Sequence, residues 1–199
     1  MTEVYFMRHS ETLKWNNVNN SDSIQLQNEK WPLTVFGENL AKEKSELEEF
    51  KNFDVVFSSN YVRAIATAKY FTDGKVYIDE SFSERRFGVD SWDELPSNFE
   101  IKQFEDFNYK MDNGESINDV IRREEKAFFD ILKKYENKKI LIVGHATAMA
   151  GLFSKWCEVS LTDDYKFNGK AFFDGKWGYC EMFKLSFEGN KLVNIENIR

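Results

Sequence analysis

Two kinds of apolar pattern alternate along this chain. Short unbroken runs, Val4–Met7, Asp54–Phe57, Val76–Ile78 and Lys139–Val143, read as buried strands. Between them apolar residues recur every three or four positions, the mark of a helix with one buried face. The clearest such segment follows Gly114-Glu115-Ser116, a turn and helix-start signal, and carries Ile117, Val120, Ile121, Ala127, Phe128, Ile131, Leu132 and Tyr135 on one side. A second is expected after Pro32-Leu33-Thr34, with Thr34 as N-cap and Phe36, Leu40, Leu47 and Phe50 as its apolar marks. A third runs from Tyr61 to Phe71 with Val62, Ile65, Ala66 and Tyr70 on one side. Asn98–Asn108 and Thr147–Cys157 complete the helices. Leu13–Trp31 is rich in Asn and Ser, has no period, and is expected to be a loop or lid. Cys180–Arg199 alternates weakly about Glu188-Gly189-Asn190 and predicts a hairpin closing one sheet edge. Strands alternating with helices give an α/β protein: a three-layer α/β/α sandwich on a mostly parallel central sheet. No repeat or linker divides it, so a single domain over residues 1–199 is expected.

Composition narrows the function classes. At 42% hydrophobic residues the chain can fill a core. Its net charge of −7 argues against nucleic acid or an anionic membrane as partner, so any anionic substrate needs a local basic pocket. No apolar run approaches the roughly 20 residues that span a bilayer, and Met1-Thr2-Glu3, with no basic or long apolar region behind it, is not expected to open a signal peptide. Cys157 and Cys180 fit no metal spacing and are expected as buried thiols of a cytoplasmic protein. With two histidines and no cysteine cluster, neither a transition-metal site nor a cofactor is expected.

Those two histidines occupy equivalent places. His9 follows Val4–Met7 and Arg8; His145 follows Ile140–Val143 and Gly144. Each stands where a buried strand opens into a loop, the end of an open α/β sheet at which ligands bind. Arg63 opens a helix, where a cation is unfavourable unless it serves an anion. With Glu84 these residues suit phosphoryl transfer. A neutral imidazole attacks phosphorus, guanidinium groups neutralise the oxygens, and a carboxyl group protonates the leaving oxygen.

The chain at this point resembles the histidine phosphatase superfamily, in its phosphoglycerate mutase-like branch. Arg8-His9-Ser10-Glu11-Thr12 is similar to the family's RHGET signature, and Pro32-Leu33-Thr34 with Gly37 to its PLTxxG segment. Ser58-Ser59 through Arg63-Ala64 to Thr67-Ala68 resembles SSxxxRAxxTA; Glu84-Arg85 resembles ER, Gly114-Glu115-Ser116 resembles GES, and Val143-Gly144-His145 resembles VGH. The resemblance implies that His9 becomes phosphorylated and that Arg8, Arg63 and His145 line the phosphate pocket. It makes Glu84 proton donor and then base, with Asp79, Glu80, Asp90, Asp93 and Glu94 as competing carboxylates nearby. Ser10, standing where Gly is usual, and Thr12 are expected to reach the phosphate with their hydroxyls. Ala146 also replaces a common Gly, and Trp15 stands where the mutases carry Asn, with Asn16 one step late.

The activity so implied is metal-independent hydrolysis of a small-molecule phosphomonoester. A phosphoglycerate mutase is the first alternative, disfavoured by the modest stretch between Arg86 and Gly114. A regulatory phosphate-binding domain without turnover is the second. An aromatic wall of Trp15, Trp31, Phe87, Trp92, Phe172, Phe173 and Trp177 is expected to favour a bulky or planar leaving group. Oligomeric state is not legible in the chain.

Overall fold

A computed structural model describes residues 1–14 and 22–198. Its six-stranded sheet has the order β3-β2-β4-β1-β7-β8. Four strands, β1 (Thr2–Arg8), β2 (Val55–Ser58), β3 (Val76–Ile78) and β4 (Lys139–Gly144), run parallel. The hairpin β7 (Met182–Glu188) and β8 (Lys191–Ile198) adds antiparallel to β1 and closes that edge. The sheet is therefore mostly parallel, as its run-and-period pattern predicts.

Strand alternation sends each strand's residues to two cores. On one face Val4, Phe6, Ile140 and Ile142 pack against Phe128, Ile131 and Leu132 of α5 (Ile117–Lys134) and Met149 of α6 (Ala146–Phe153). On the other face Tyr5, Met7, Leu141 and Val143 meet Ala41 of α2 (Val35–Glu46) and Ala64 and Ala68 of α3 (Val62–Ala68). These are the three layers. Ser116 caps α5 in a reciprocal box with Asp119, which fixes where the longest helix starts.

Several expectations need correction. Leu13–Trp31 is not all loop: α1 spans Ile24–Lys30, capped by Ser23. Trp15 and Asn16 lie outside the described residues. Thr34 does cap α2, accepting from Gly37 N, but Phe36 and Leu47 are exposed, and the buried side is Gly37 and Ala41. Small residues win there because the helix lies close to backbone. A Cβ on Gly37 would sit 2.2 Å from the Glu11 carbonyl oxygen. Helix α3 is likewise turned from its predicted side: Arg63, Ala64, Thr67 and Ala68 are buried and Val62 is exposed. The pull is the site itself, which draws Arg63 inward. The hairpin β5 (Tyr165–Phe167) and β6 (Lys170–Phe173) was not predicted, although Asn168-Gly169, both at positive φ, is its turn signal. The helix α4 occupies Phe99–Glu105.

Candidate active site

Sheet register brings the two histidines together. Arg8 of β1 lies opposite Gly144 of β4, and His9 N donates to Gly144 O at 3.0 Å. The two imidazoles consequently leave neighbouring strand ends with ring centroids 5.2 Å apart. On the other side of β4, Ser58 pairs with Val143, and the chain then turns into α3 and delivers Arg63. Three adjacent strands ending at one level thus gather Arg8, His9, Arg63 and His145.

Hydrogen bonding settles the form of His9. Its Nδ1 lies 2.7 Å from Ser10 O, which can only accept, so Nδ1 carries the proton. Arg63 Nε–H donates to His9 Nε2 at 3.1 Å, so Nε2 keeps its lone pair. Burial, then the Arg63 charge, hold the His9 pKa well below its ordinary value. The imidazole is neutral, with one nitrogen oriented by the backbone and the other a base facing a cation.

His145 is buried with its Nε2 2.8 Å from Ser59 Oγ, while its Nδ1 has no hydrogen-bond partner. Burial and Arg63 push its pKa down as well. It does not itself border the main cavity, but it stands immediately before α6, whose first residues Ala146 and Thr147 do. That places a helix amino end toward any bound anion.

Arg63 is held by three elements. Its Nη1 donates to Asn28 O of α1 at 2.5 Å, and its guanidinium lies 4.7 Å from the Tyr61 ring centroid. Tyr61 in turn packs edge-on against His145 at 4.6 Å. Burial lowers the Arg63 pKa to about 10, which leaves it charged near neutrality. Arg8 Nη1 donates to Trp177 O at 2.7 Å, and its Nε is buried without a partner. Asn28 and Tyr61 are site residues that the sequence reading did not single out. Only Tyr61 had a signal, its place in the stretch Ser58–Ala68.

A cavity of about 680 Å³ opens on this cluster, bordered by Arg8, His9, Thr12, Arg63 and Glu84 among others. Glu84 is the one carboxylate of the predicted set to border it; Asp79, Glu80, Asp90, Asp93 and Glu94 do not. Asp79 caps Ser81 N instead. Glu84 Oε1 accepts from Arg85 N at 2.9 Å, and its backbone carbonyl accepts from Arg123 Nη2 at 3.2 Å. Arg123, reaching over from α5, also donates to Ser81 O and pairs with Glu115, whose Oε2 accepts from Arg86 N. So the ER and GES segments are bolted to each other and to the long helix.

Ser10 corrects the expectation made for it. It is wholly buried, does not border the cavity, and its hydroxyl donates to Gly37 O at 2.7 Å. Thr12 does border the cavity, but its hydroxyl donates to Pro32 O at 2.8 Å. With Thr34 Oγ1 donating to Glu11 Oε2, these bonds clasp the two signature segments together. Of the predicted aromatic wall, Trp31, Phe87, Trp92 and Trp177 border the cavity; Phe172 and Phe173 pack into the core. Another missed residue is Glu124, on the buried face of α5, whose pKa burial raises to about 8.

Among the described residues no group of three or more His, Cys, Asp or Glu stands close enough to hold a metal, and no helix is long and apolar enough to cross a membrane. Cys157 and Cys180 are buried free thiols.

A Bacillus subtilis (strain 168) protein named uncharacterized phosphatase PhoE is 28% identical over 158 residues, 78% of this chain and 77% of its own. A probable phosphoglycerate mutase GpmB from Enterobacter sp. (strain 638) is 28% identical over 166 residues, 77% and 74% of the two chains. In fold, a mycobacterial glucosyl-3-phosphoglycerate phosphatase superposes with TM-score 0.71 at 17% identity, covering 99% of this chain and 95% of that one. A phosphoserine phosphatase from Entamoeba histolytica gives 0.69 at 22% identity, with coverage of 98% and 97%. The profile of the histidine phosphatase superfamily (branch 1) matches residues 4–190, and the chain belongs to that family.

Proposed function

We propose that this protein is a metal-independent phosphomonoester hydrolase that works through a phosphohistidine on His9. The carrying observation is the tautomer of His9: proton on Nδ1 against Ser10 O, lone pair on Nε2 facing Arg63. In the first step Nε2 forms a bond to phosphorus, the ester P–O bond breaks, and Glu84 in its acid form protonates the departing oxygen. In the second, water attacks phosphorus, Glu84 takes its proton, and the P–N bond breaks to release inorganic phosphate. Arg8, Arg63 and His145 donate to the phosphoryl oxygens throughout; Arg8 Nε and His145 Nδ1 have no competing partner. Thr12 borders the same cavity. Fixed cations and a helix amino end supply the charge that a metal supplies elsewhere.

Hydrolysis is favoured over phosphoglycerate mutation by a second cavity, about 280 Å³, that also reaches Glu84. Its lining is polar, with Gln25, Asn60, Ser81 and Ser83 beside Glu115 and Arg123, and suits water delivery to the base. A mutase must instead shield its phosphohistidine from water. The name of the GpmB relative supports the alternative. A cytoplasmic location is part of this reading, from the two free thiols.

The test is phosphate release from p-nitrophenyl phosphate with a chelator present. Wild type releases it and forms an acid-labile phosphoenzyme, and His9→Ala does neither. Isomerisation of 3-phosphoglycerate with little hydrolysis overturns the choice in favour of the mutase. Failure to acquire phosphate from any donor leaves the regulatory domain.

A further inference from the structure

We infer that the ester's leaving group is an uncharged aromatic or heteroaromatic ring system. This deepens the reading above and rests on its placing of the phosphoryl group between Arg8 and Arg63.

Two clusters of rings border the cavity, and each is tied to one of those arginines. Trp31 lies under the Arg63 guanidinium at 6.0 Å and stacks on Trp92, with centroids 6.0 Å apart and planes at 26°. Phe87 meets the edge of Trp92 at 5.0 Å. In the second cluster Tyr179 lies 5.0 Å from the Arg8 guanidinium, and Trp177, whose carbonyl holds Arg8, contacts Tyr165 at 6.3 Å. Ring surface therefore begins where the phosphoryl group ends. A cavity of about 680 Å³ also exceeds what a phosphate with a two- or three-carbon alcohol fills.

Charge points the same way. Among the described residues, the cations bordering the cavity are Arg8, Lys14, Arg63 and Arg85. Arg85 is engaged by Glu100 at 2.8 Å and Glu84 at 3.8 Å, and Arg8 and Arg63 are assigned to phosphate. That leaves exposed Lys14 for a second anionic group, and one solvated lysine holds a carboxylate weakly. A small phosphorylated acid gains little here, whereas a flat neutral ring gains stacking and desolvation.

The experiment compares esters whose alcohols have nearly the same acidity: 2-(1-naphthyl)ethyl, 2-cyclohexylethyl and ethyl phosphate. With leaving-group chemistry held constant, KM reports the ring. The naphthyl ester is expected to show a KM about tenfold below the cyclohexyl ester and lower still against ethyl phosphate. The naphthyl-to-ethyl ratio of kcat/KM should fall toward one in Trp92→Ala and in Trp177→Ala. Equal KM values for the naphthyl and cyclohexyl esters in wild type, or a clear preference for 3-phosphoglycerate, overturn the inference without any variant. Calorimetric titration of His9→Ala with the same esters reads binding without chemistry. If no ester is turned over, the hydrolase reading fails, and the ratio of dissociation constants still decides the ring: about tenfold supports it, parity sinks it.

Discussion

The site has two halves built on different physics. Arg8, His9 and His145 stand at the ends of β1 and β4, whose register is fixed by a ladder of six residue pairs over buried side chains. A one-residue slip there would send every side chain of the strand into the opposite core, so the ladder fixes where the His9 backbone stands. Glu84 has no such support. It sits in the segment between β3 and α4, outside any strand, and its position depends on side chains: Arg123 to the Ser81 and Glu84 carbonyls and to Glu115, and Glu115 to Arg86 N. Gly88, at φ +72°, lets this loop come against Gly114; a Cβ there would lie 2.0 Å from the Gly114 nitrogen. On the proposed mechanism, phosphate capture and proton transfer are therefore separable: the first rests on the sheet, the second on an ion-pair scaffold.

Breaking the strand-end half has the largest effect. His9→Ala should cost roughly 10⁴- to 10⁶-fold in kcat yet still bind inorganic phosphate, because Arg8, Arg63 and His145 are placed by other contacts. Steady-state rates and calorimetry check the two parts, and loss of both would show the halves are not independent. Glu84→Gln comes next, with about a 10³-fold loss on alkyl esters. The loss should be much smaller on p-nitrophenyl phosphate, whose leaving group needs no proton. Equal losses on both would remove Glu84 from the donor role. Arg123→Met sharpens the comparison further. It leaves Glu115, nearly buried, with only the Arg86 amide and the more distant Arg86 guanidinium at 3.7 Å, and should lower stability by about 2 kcal/mol. It should also lower kcat about tenfold on alkyl esters with KM little changed. A matching rise in KM would mean that the scaffold also shapes phosphate capture.

The smallest effects separate the halves by pH. His9 and His145 have native pKa values held below the ordinary 6.5 by burial and Arg63. On acidification through 6.5 the unfolded chain takes up protons that the native state refuses, so stability is lost as pH falls. Glu124 carries the opposite sign. Its pKa is raised from 4.5 to about 8 by burial, so between those values the native state keeps a proton the unfolded chain has released, and stability falls as pH rises. Glu124→Gln should therefore raise Tm at pH 8 and lose that advantage near pH 4.5. Melting curves from pH 4.5 to 8 test this, and a pH-independent difference would count against it.

Periodicity by itself determined much of this protein. Val4–Met7 and Ile140–Val143 are short unbroken apolar runs of the kind central parallel strands carry, and α5 carries its buried stripe plainly. Placing Arg8-His9 and Gly144-His145 at the two strand ends follows from where the apolar runs stop, and the motif order singled out Glu84 and Arg63, which stand beside the same cavity. What tertiary structure decided were the places where a neighbour, and not the period, chose the buried face. Helix α2 turns Gly37 and Ala41 inward because Glu11 backbone comes within a methyl group's width, leaving Phe36 outside. Helix α3 turns Arg63 inward because His9, Asn28 and Tyr61 are there to receive it. Ser10, placed in the phosphate pocket on its position in the signature, is taken by Gly37, 27 residues along the chain. A sequence pattern records each residue's own preference; it does not record which distant partner will claim a hydroxyl or a guanidinium once the layers close.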